Sequence, residues 1–380
     1  MKNETMMLYG KYSQYIGVKS RIDHVPFSGT FELTPRCNMN CKMCYIRMTE
    51  NEMKKVGSEL SVEEWINIGK AAVNKGMLLV LLTGGEAILY KDFKKLYLEL
   101  RKLGLFITVN TNGTSFNDSW IEFFKEFPPA QINVTVYGGS NETYKRLCNN
   151  PIGFDMMKKN VRKMLDNNLN VKLNATFSKD NVDDMEKIYS FGRELNIEIN
   201  GNTYCFPAVR KEGVDSPEQS RFTPEEAAMA RIRLNWNAIN NKDKFIWRAK
   251  EIFKDINKQE TFNNDIKSNT GEPVTCAAGR STFWVTWDGR VLPCGMIPNS
   301  LISLKENTFE EIWNNIVTTT QDIRLSPECA LCSKKLICQP CAAKLLAETG
   351  DYAKKAEYLC KYTEEYIKLL RKAVSFFENK

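Results

Sequence analysis

Short apolar runs alternate with amphipathic ones from residue 30 to about residue 204. The apolar runs predict six strands, in "TFELTP", "MLLVLLTG", "LFITVNT", "AQINVTVYG", "NVKLNATF" and "IEINGNTY". The segments between them have helical periodicity, and Ser61 and Glu64 in "SVEE" form a capping box at the start of the first helix. Strands that alternate with helices pair in parallel through right-handed crossovers. The pattern therefore predicts an α/β fold, a partial barrel of six strands with its site at their C-terminal ends.

The remainder of the chain has a different pattern. Residues 206–275 are polar and helical in patches, with a predicted helix cap at Thr223. "FWVTWDGRVLPC" predicts a hairpin with a two-residue type I′ turn at Asp288 and Gly289. "TFEEIWNNI" predicts a helix, and a last helix is expected from about residue 351 to 377. The predicted units are an N-terminal extension (1–29), the barrel (30–205), a helical bridging segment (206–275) and a cysteine-rich C-terminal domain (276–380).

Charge and hydropathy exclude several classes of protein. The net charge of +7 over 380 residues comes from scattered Lys and Arg, without a like-charge block or aromatic–basic interleaving. This distribution is typical of a solvated surface and gives no indication of nucleic-acid binding. The N-terminus lacks the apolar core of a signal peptide, and no run approaches the roughly 18 apolar residues of a membrane span. We therefore expect a cytoplasmic protein without a membrane partner.

The chain has twelve cysteines and one histidine, His24. Disulfides are disfavoured in a reducing compartment, so metal or redox chemistry is the leading explanation for so many thiols. The single histidine excludes a site built on several histidines. The cysteines are therefore the candidate metal ligands.

Three of these cysteines follow the first predicted strand, in "RCNMNCKMC": Cys37, Cys41 and Cys44. Three thiolates can bind three irons of an iron–sulfur cube. Structural zinc requires four ligands, and the sequence offers no fourth cysteine nearby. Plain apolar packing is the other alternative, although a loop after a strand provides little core. The spacing favours a cluster with one iron left open to a small molecule.

This loop resembles the signature of the radical S-adenosylmethionine (radical SAM) superfamily, C-x3-C-x2-C after the first strand of a partial barrel. The resemblance covers residues 30–204. It implies that Cys37, Cys41 and Cys44 bind a [4Fe–4S] cluster whose fourth iron binds SAM. It also implies reductive cleavage of SAM to a 5′-deoxyadenosyl radical, which abstracts a hydrogen atom from a substrate. Such chemistry requires an external one-electron reductant, a flavodoxin or a ferredoxin.

Later strand ends extend the resemblance. "TGGEA" closes the second strand, where the Gly-Gly-Glu motif of the family receives the SAM amino group, here Gly84, Gly85 and Glu86. Many relatives read Ser-Leu-Asp-Gly where this chain reads "TVYG", so the role of that aspartate is not carried over. Each single polar residue in these positions could equally cap a turn. Further candidates for SAM binding by resemblance are Tyr45 (adenine stacking, since Met43 replaces the usual aromatic residue), Asn112, Thr135, Arg146, Asn174 and Thr176.

Seven cysteines lie in residues 276–380. Two C-x2-C pairs alone would suggest zinc. Beside a radical SAM loop, the pattern resembles a SPASM domain, which holds auxiliary [4Fe–4S] clusters, although two residues instead of three separate the last pair of the quartet. The nearer cluster then has three cysteines, so its fourth iron is either open or bound by another residue type. The implied ligands are Cys329, Cys332, Cys338 and Cys360 for one cluster, and Cys276, Cys294 and Cys341 for the nearer one.

Two cysteines remain. Cys148 in "YKRLCNN" is interpreted as a packing residue. Cys205 in "NTYCFPA" ends the sixth strand, where core packing is one interpretation. The alternative is a catalytic role as hydrogen-atom donor to a substrate radical, as peptide epimerases of the superfamily require.

SPASM-type radical SAM enzymes mostly modify ribosomally made peptides. The resemblance therefore implies a maturase that crosslinks, epimerises or oxidises a precursor peptide. Residues 1–29 are too few for the leader-binding module often fused at this end. We therefore expect leader recognition by a separate protein, by residues 206–275 or by the barrel surface.

Three alternatives remain open. Anaerobic sulfatase maturases have a catalytic aspartate directly after the hairpin cysteine, where this chain has Gly295. A radical dehydrogenase or epimerase acting on a small molecule is the second alternative. The third is an iron–sulfur electron-transfer protein that never cleaves SAM, which release of 5′-deoxyadenosine under dithionite would exclude.

Overall fold

A computed structural model of the chain describes residues 15–206, 220–264, 276–297 and 302–379. Six parallel strands, each paired with its predecessor in the chain, form the main sheet. Neither edge of the described sheet pairs with the other, so the barrel is open. The predicted partial barrel is confirmed. The strands are β1 (Ser28–Glu32), β2 (Leu79–Thr83), β3 (Phe106–Thr111), β4 (Gln131–Thr135), β5 (Val171–Thr176) and β6 (Ile199–Asn202).

Helices connect these strands on the outer face of the sheet. Ser61 Oγ accepts a hydrogen bond from the Glu64 amide, and the Glu64 carboxylate accepts one from the Ser61 amide, which confirms the predicted capping box. Apolar side chains of the helices pack on the outward residues of the strands. Trp65, for example, stacks on Phe31 with ring centroids 5.0 Å apart. The helices are α1 (Glu50–Val56), α2 (Val62–Asn74), α3 (Phe93–Lys102), α4 (Asp118–Glu126), α5 (Asn141–Cys148), α6 (Gly153–Asp166) and α7 (Met185–Glu194).

The inner face of the sheet is polar. Asn110 of β3 pairs with Asn133 of β4, and Thr135 of β4 pairs with Asn174 of β5, so these four side chains share one face. Val109 and Val134 alternate with them and are fully buried on the helical side. The partial barrel therefore has its apolar core outside the sheet and polar groups inside it.

The predicted hairpin extends the same sheet. Its strands are β7 (Thr282–Val285) and β8 (Arg290–Leu292), followed by the short β9 (Ile302–Ser303). β7 pairs in parallel with β1, while β8 and β9 are antiparallel. The sheet therefore continues from the predicted barrel into the predicted C-terminal domain, and this continuity could not be read from the sequence.

The predicted type I′ turn is wrong. The Gly289 amide donates to the Thr286 carbonyl (3.0 Å), so Trp287 and Asp288 are the central residues of the turn. Only Gly289 has a positive φ (89°), as expected of a turn that ends in a one-residue bulge. The Asp288 carboxylate accepts a hydrogen bond from Thr286 Oγ1 (2.6 Å) and pairs with Arg290 (2.7 Å). These contacts hold Asp288 in an ordinary backbone conformation, which a type I′ turn would not allow.

Three long helices pack together beside the barrel. Thr223 caps the first of them as predicted. The last begins at Glu357, later than expected, because the Asp351 carboxylate accepts from the Ala353 amide (2.9 Å) and forms a turn instead. No helix in the described ranges is long and apolar enough to cross a membrane. The remaining helices are α8 (Pro224–Ile239), α9 (Lys242–Asn264), α10 (Phe309–Gln321), α11 (Pro327–Ala330), α12 (Lys335–Cys338), α13 (Ala342–Thr349) and α14 (Glu357–Glu378).

Parts of three predicted units lie outside the described residues. They are residues 1–14 of the N-terminal extension, residues 207–219 and 265–275 of the bridging segment, and residues 298–301 and 380 of the C-terminal domain. The described parts of the bridging segment are mainly α8 and α9, which pack against α14 through Phe245, Tyr366 and Leu370. The bridging segment is therefore helical where it is described.

Candidate functional site

A cavity opens at the C-terminal ends of the parallel strands, and three of the predicted cluster ligands line it. Cys37, Cys41 and Cys44 lie on the loop after β1, and all twelve cysteines of the chain are described and free of disulfides. The other lining residues come from the ends of four strands and from the loop itself. They are Met39, Met43, Tyr45, Ile46, Thr83, Gly84, Gly85, Asn110, Thr111, Asn112, Thr135, Tyr137 and Thr176.

The cysteine loop is fixed by backbone contacts on both sides. The Asn40 amide donates to the Cys148 carbonyl (2.9 Å), and the Lys42 amide donates to the Leu147 carbonyl (3.0 Å). Both carbonyls belong to the last turn of α5, where they have no partner within the helix. The loop therefore uses the free end of a helix to hold Cys41 in place.

Hydrogen-bond donors surround the sulfur atoms. The Met39 amide lies 3.4 Å from Cys37 Sγ, and the Arg47 amide lies 3.2 Å from Cys44 Sγ. Asn112 Nδ2 lies 3.8 Å from Cys37 Sγ. Donors that point at cysteine sulfurs stabilise thiolates, the form that binds iron.

Burial of the loop cysteines disfavours their thiolate forms when no metal is bound. Burial raises the pKa of Cys37 to about 12. A hydrogen bond with the Cys148 thiol, together with burial, raises the pKa of Cys41 well above its usual range. Such thiols lose their protons readily only when a cation compensates the buried charge, as a metal centre does.

Gly84 and Gly85 bring the second strand against the cysteine loop. The Gly85 amide donates to the Thr34 carbonyl (2.7 Å), and the Glu86 amide donates to the Arg36 carbonyl (2.8 Å). A Cβ at Gly84 would lie 2.4 Å from the Thr34 oxygen, and one at Gly85 would lie 2.5 Å from the Arg36 oxygen. Because these glycines have no side chain, the end of the second strand can lie directly against the cysteine loop.

Glu86 is a buried carboxylate with one unused oxygen. Its Oε2 accepts from the Asn112 amide (2.8 Å), whereas Oε1 is buried and has no hydrogen-bond partner in the described part of the chain. Burial raises the pKa of Glu86 to about 7. A buried acceptor without a partner is costly, so this site fits a ligand that brings a donor, such as the amino group of SAM.

Asn112 supports the cysteine loop. Its Oδ1 accepts from the Thr114 hydroxyl (2.7 Å) and amide (2.9 Å), and its Nδ2 donates to Asn38 Oδ1 (2.8 Å). Its side-chain amide also contacts Cys37. The resemblance made Asn112 a candidate for SAM binding, and in the structure its side-chain polar atoms form hydrogen bonds with Asn38 and Thr114.

Not all of the predicted site residues come together. Tyr45, Gly84, Gly85, Asn112, Thr135 and Thr176 line the cavity. The buried Glu86 is not among its lining residues, and neither are Arg146, Asn174 and Cys205. Arg146 is exposed and donates to the Asp180 carbonyl (2.6 Å), and Asn174 accepts from Asn200 Nδ2 (3.2 Å). The Cys205 thiol is buried and donates to the Phe177 carbonyl (3.8 Å). The proposed roles of these three residues gain no support from the described cavity.

Several lining residues were not identified from the sequence as site residues. Tyr137, Asn110 and Thr111 face the cysteines from the ends of strands β3 and β4. Their common signal is a polar or aromatic residue at or just after the C-terminal end of a parallel strand. That signal is shared by many residues of an α/β protein, so only the structure identifies these three.

The structure brings the C-terminal cysteines together in two groups. Cys276, Cys294 and Cys341 line one cavity, whose other described walls are mainly apolar. Cys332, Cys338 and Cys360 line a second one, and Cys329 is close enough to affect the pKa values of Cys338 and Cys360.

The cysteine groups have the donor chemistry of iron–sulfur sites. Thiolates are the usual ligands of such clusters. Among the described residues, no group of three or more Cys, His, Asp or Glu side chains is arranged to hold a single metal ion.

Two family models match the chain. The first describes the radical SAM superfamily and matches residues 31–192, and the second describes an iron–sulfur cluster-binding (SPASM) domain and matches residues 276–342. The match covers all three cysteines of the loop after β1 and the Gly-Gly-Glu motif. It also covers every C-terminal cysteine except Cys360.

Two curated relatives are similar over most of the chain. An AdoMet-dependent heme synthase of Methanosarcina barkeri (AdoMet is SAM) is 26% identical over 340 residues, 86% of this chain and 94% of that protein. The sporulation killing factor maturation protein SkfB of Bacillus subtilis is 24% identical over 314 residues, 80% of this chain and 68% of that protein.

Solved structures share the fold. SuiB of Streptococcus suis, bound to SAM, superposes with a TM-score of 0.62 at 15% identity, over 92% of this chain and 79% of that chain. anSMEcpe with bound AdoMet superposes with a TM-score of 0.67 at 18% identity, over 93% and 100%. The cysteine loop, the Gly-Gly-Glu motif and the two family models together identify this chain as one with a radical SAM domain followed by a SPASM iron–sulfur domain, and the solved structures share its fold.

Proposed function

We propose that this enzyme modifies a ribosomally made precursor peptide by radical chemistry. The observation that carries the proposal is the similarity to SkfB over 80% of the chain, since the name of that relative states the maturation of a killing factor. SuiB, which shares the fold, has been solved bound to the precursor peptide SuiA. The modification would be a crosslink, an epimerisation or an oxidation.

The cysteine loop is proposed to hold the SAM-binding cluster through Cys37, Cys41 and Cys44. With SAM, a cluster of this kind supplies a 5′-deoxyadenosyl radical on one-electron reduction. The chain contributes the donors around the sulfurs, the unused Glu86 oxygen for the SAM amino group and an aromatic wall at Tyr45. We propose an external flavodoxin or ferredoxin as the source of the electron.

The polar inner face supports a substrate rich in amide groups. Asn133 Nδ2 donates to Asn110 Oδ1 (2.9 Å), and Asn200 Nδ2 donates to Asn174 Oδ1 (3.2 Å), so side-chain amides form pairs across neighbouring strands. Asn133 Oδ1 is buried without a partner among the described residues. Side-chain amides offer the same donors and acceptors as a peptide backbone, so this face suits an extended peptide that enters the open barrel.

A sulfatase-maturase type of reaction is less well supported. Gly295 follows the hairpin cysteine, and a Cβ there would lie 2.9 Å from the Trp284 indole. The indole in turn donates to the buried Glu32 carboxylate (2.9 Å). The space that a catalytic aspartate would need is therefore occupied by a fixed tryptophan.

A small-molecule substrate is the second candidate. The AdoMet-dependent heme synthase is similar over 86% of this chain, and its name describes the synthesis of a cofactor. The enzyme would then act on a free cofactor precursor, as the dehydrogenase or epimerase alternative requires.

The decisive experiment uses anaerobically reconstituted enzyme, SAM and dithionite. Synthetic precursor peptides, chosen from genes that neighbour the gene of this enzyme, would be followed by mass spectrometry. Deuterium transfer from a labelled peptide into 5′-deoxyadenosine, together with a mass shift of the peptide, would support the proposal. Turnover of a free metabolite without any peptide product would favour the second candidate.

Cys205 is proposed as the hydrogen-atom donor if the reaction is an epimerisation. Burial raises the pKa of Cys205 to about 11, so the residue retains the S–H bond that a donor needs. Cys205→Ala is expected to leave SAM cleavage intact and to abolish epimerised product, as measured by chiral analysis of the peptide. Cys148→Ala is the matched control, and full epimerisation by the Cys205 variant would remove this role.

The C-terminal cysteines are proposed to hold two auxiliary clusters, one on Cys329, Cys332, Cys338 and Cys360. Burial raises the pKa of Cys360 to about 11, and iron would compensate its thiolate. Cys360→Ala is expected to lower iron and sulfide by one cluster equivalent, while substrate-free SAM cleavage persists. An iron content equal to that of the unaltered enzyme would contradict this ligand set.

Recognition of a leader sequence is proposed to need a separate protein, residues 206–275 or the barrel surface. Binding of the full precursor to this chain alone, compared with binding of a leaderless peptide, would distinguish a separate protein from the two routes within this chain. Equal affinity for both peptides would indicate that a separate protein reads the leader.

A further inference from the structure

Tyr137 lies directly against one of the three cysteines of the loop after β1. It follows the end of β4 and lines the cavity together with Cys37, Cys41 and Cys44. Its side-chain hydroxyl is close enough to Cys41 to act on the thiol as a hydrogen-bond partner, which lowers the pKa of Cys41. This contact is separate from the backbone amides that approach Cys37 and Cys44.

The position of Tyr137 is fixed on both sides of its backbone. Its amide donates to the Tyr144 hydroxyl (3.2 Å), and its carbonyl accepts from Asn181 Nδ2 (2.9 Å). Its ring packs edge-on against the Tyr144 ring, with centroids 5.9 Å apart and planes at 89°. Tyr144 is fully buried in α5. The hydroxyl of Tyr137 is therefore held by the packed core and by helix α5.

Cys41 is held by the same helix. The amides of Asn40 and Lys42 donate to the carbonyls of the last two residues of α5, Leu147 and Cys148. Both partners of the O–H···S contact are thus tied to one rigid element. The separation of the Tyr137 oxygen and the Cys41 sulfur does not depend on a mobile loop.

The direction of this hydrogen bond follows from the protonation states. A tyrosine hydroxyl keeps its proton at neutral pH, because its ordinary pKa is about 10. A cysteine that binds iron has lost its proton and can only accept. Tyr137 therefore donates to the sulfur of Cys41 when iron is bound.

We propose that Tyr137 raises the reduction potential of the cluster held by Cys37, Cys41 and Cys44. Hydrogen bonds to the sulfurs of an iron–sulfur cluster are among the factors that set its potential. A donor stabilises the reduced cluster more than the oxidised one, because the reduced cluster carries one more negative charge. The effect is strong where the contact is shielded from water. This inference rests on the proposed role of the three cysteines and is independent of the substrate.

The test is a redox titration of the reconstituted enzyme followed by electron paramagnetic resonance. Tyr137→Phe keeps the ring and removes only the donor. At a fixed potential, the ratio of reduced to oxidised cluster is expected to fall about tenfold, a shift of about 59 mV for a one-electron couple. The affected signal is identified by its change on SAM addition, and the auxiliary clusters provide an internal reference that should not move.

Tyr97→Phe is the matched control. It removes a hydroxyl that donates to the Phe127 carbonyl (2.9 Å), away from the cavity. No change of potential is expected for this variant. An unchanged potential in Tyr137→Phe, with its full iron content, would overturn the proposal.

A second variant covers the case in which Tyr137→Phe fails to bind its cluster. Site-specific replacement of Tyr137 by 3-fluorotyrosine preserves the shape and makes the hydroxyl a stronger donor. The potential is then expected to rise, opposite to the effect of phenylalanine. A potential that stays constant or falls would overturn the inference. Complete absence of this cluster from the unaltered enzyme would instead refute the role of the three cysteines.

Discussion

Cys41→Ala is expected to abolish cleavage of SAM. The variant retains only two of the three thiols of the loop, and a cluster with two protein ligands is not held in a cavity that has no other described cysteine. Iron and sulfide content should fall by one cluster equivalent, and 5′-deoxyadenosine should drop below detection under dithionite. Both quantities are measured on anaerobically purified protein.

Cys205→Ala provides the matched control for this prediction. Cys205 is buried, its thiol donates to the Phe177 carbonyl (3.8 Å), and it does not line the cavity. The control should keep the cluster and its SAM cleavage. If Cys41→Ala retains both iron and 5′-deoxyadenosine formation, the proposed site of radical generation is incorrect.

Glu86→Gln is expected to weaken SAM binding while the cluster remains. The unpaired Oε1 of Glu86 is the proposed acceptor for the SAM amino group. A hydrogen bond to a charged group contributes about 1.5–3 kcal/mol, which corresponds to a roughly 10- to 150-fold increase in Kd. Equilibrium binding of SAM to the reconstituted variant measures this change, and iron analysis confirms that the cluster is present.

The pH dependence of SAM binding provides an independent check. Because burial raises the pKa of Glu86 to about 7, the carboxylate becomes the minor form below that pH. The neutral acid is a weaker acceptor, so SAM affinity should decrease as the pH falls through about 7. The Glu86→Gln variant should lack this dependence. Equal pH profiles for the two proteins would remove Glu86 from the binding site.

The strands and helices of the barrel could be predicted because the local sequence pattern of each segment agrees with the element that it forms. Alternation of apolar and amphipathic segments identified six strands, and the capping boxes at Ser61 and Thr223 fixed the starts of two helices. The prediction of a type I′ turn at Asp288 and Gly289 was wrong, because contacts with Thr286 and Arg290 hold Asp288 in a different backbone conformation. Such side-chain contacts cannot be read from a two-residue turn pattern.

The cofactor site was also only partly predictable from the sequence. The spacing of the three cysteines predicted a cluster with one open iron, and the resemblance of this loop and of the Gly-Gly-Glu motif to the radical SAM superfamily implied SAM chemistry. Individual polar residues were harder to assign. Asn112 supports the cysteine loop, Arg146 lies outside the cavity, and Tyr137 makes a contact that no pattern in the sequence predicted. Each of these positions depends on how separate strands align.

By itself, the sequence determined the fold class, the radical SAM loop and the cysteine-rich C-terminal domain, because these features depend on local periodicity and on ligand spacing. Only the tertiary structure decided that β7 continues the barrel sheet, that one Glu86 oxygen has no partner among the described residues and that Tyr137 meets Cys41. The physical reason is that burial and hydrogen bonding depend on residues far apart in the chain, whose proximity no local pattern encodes.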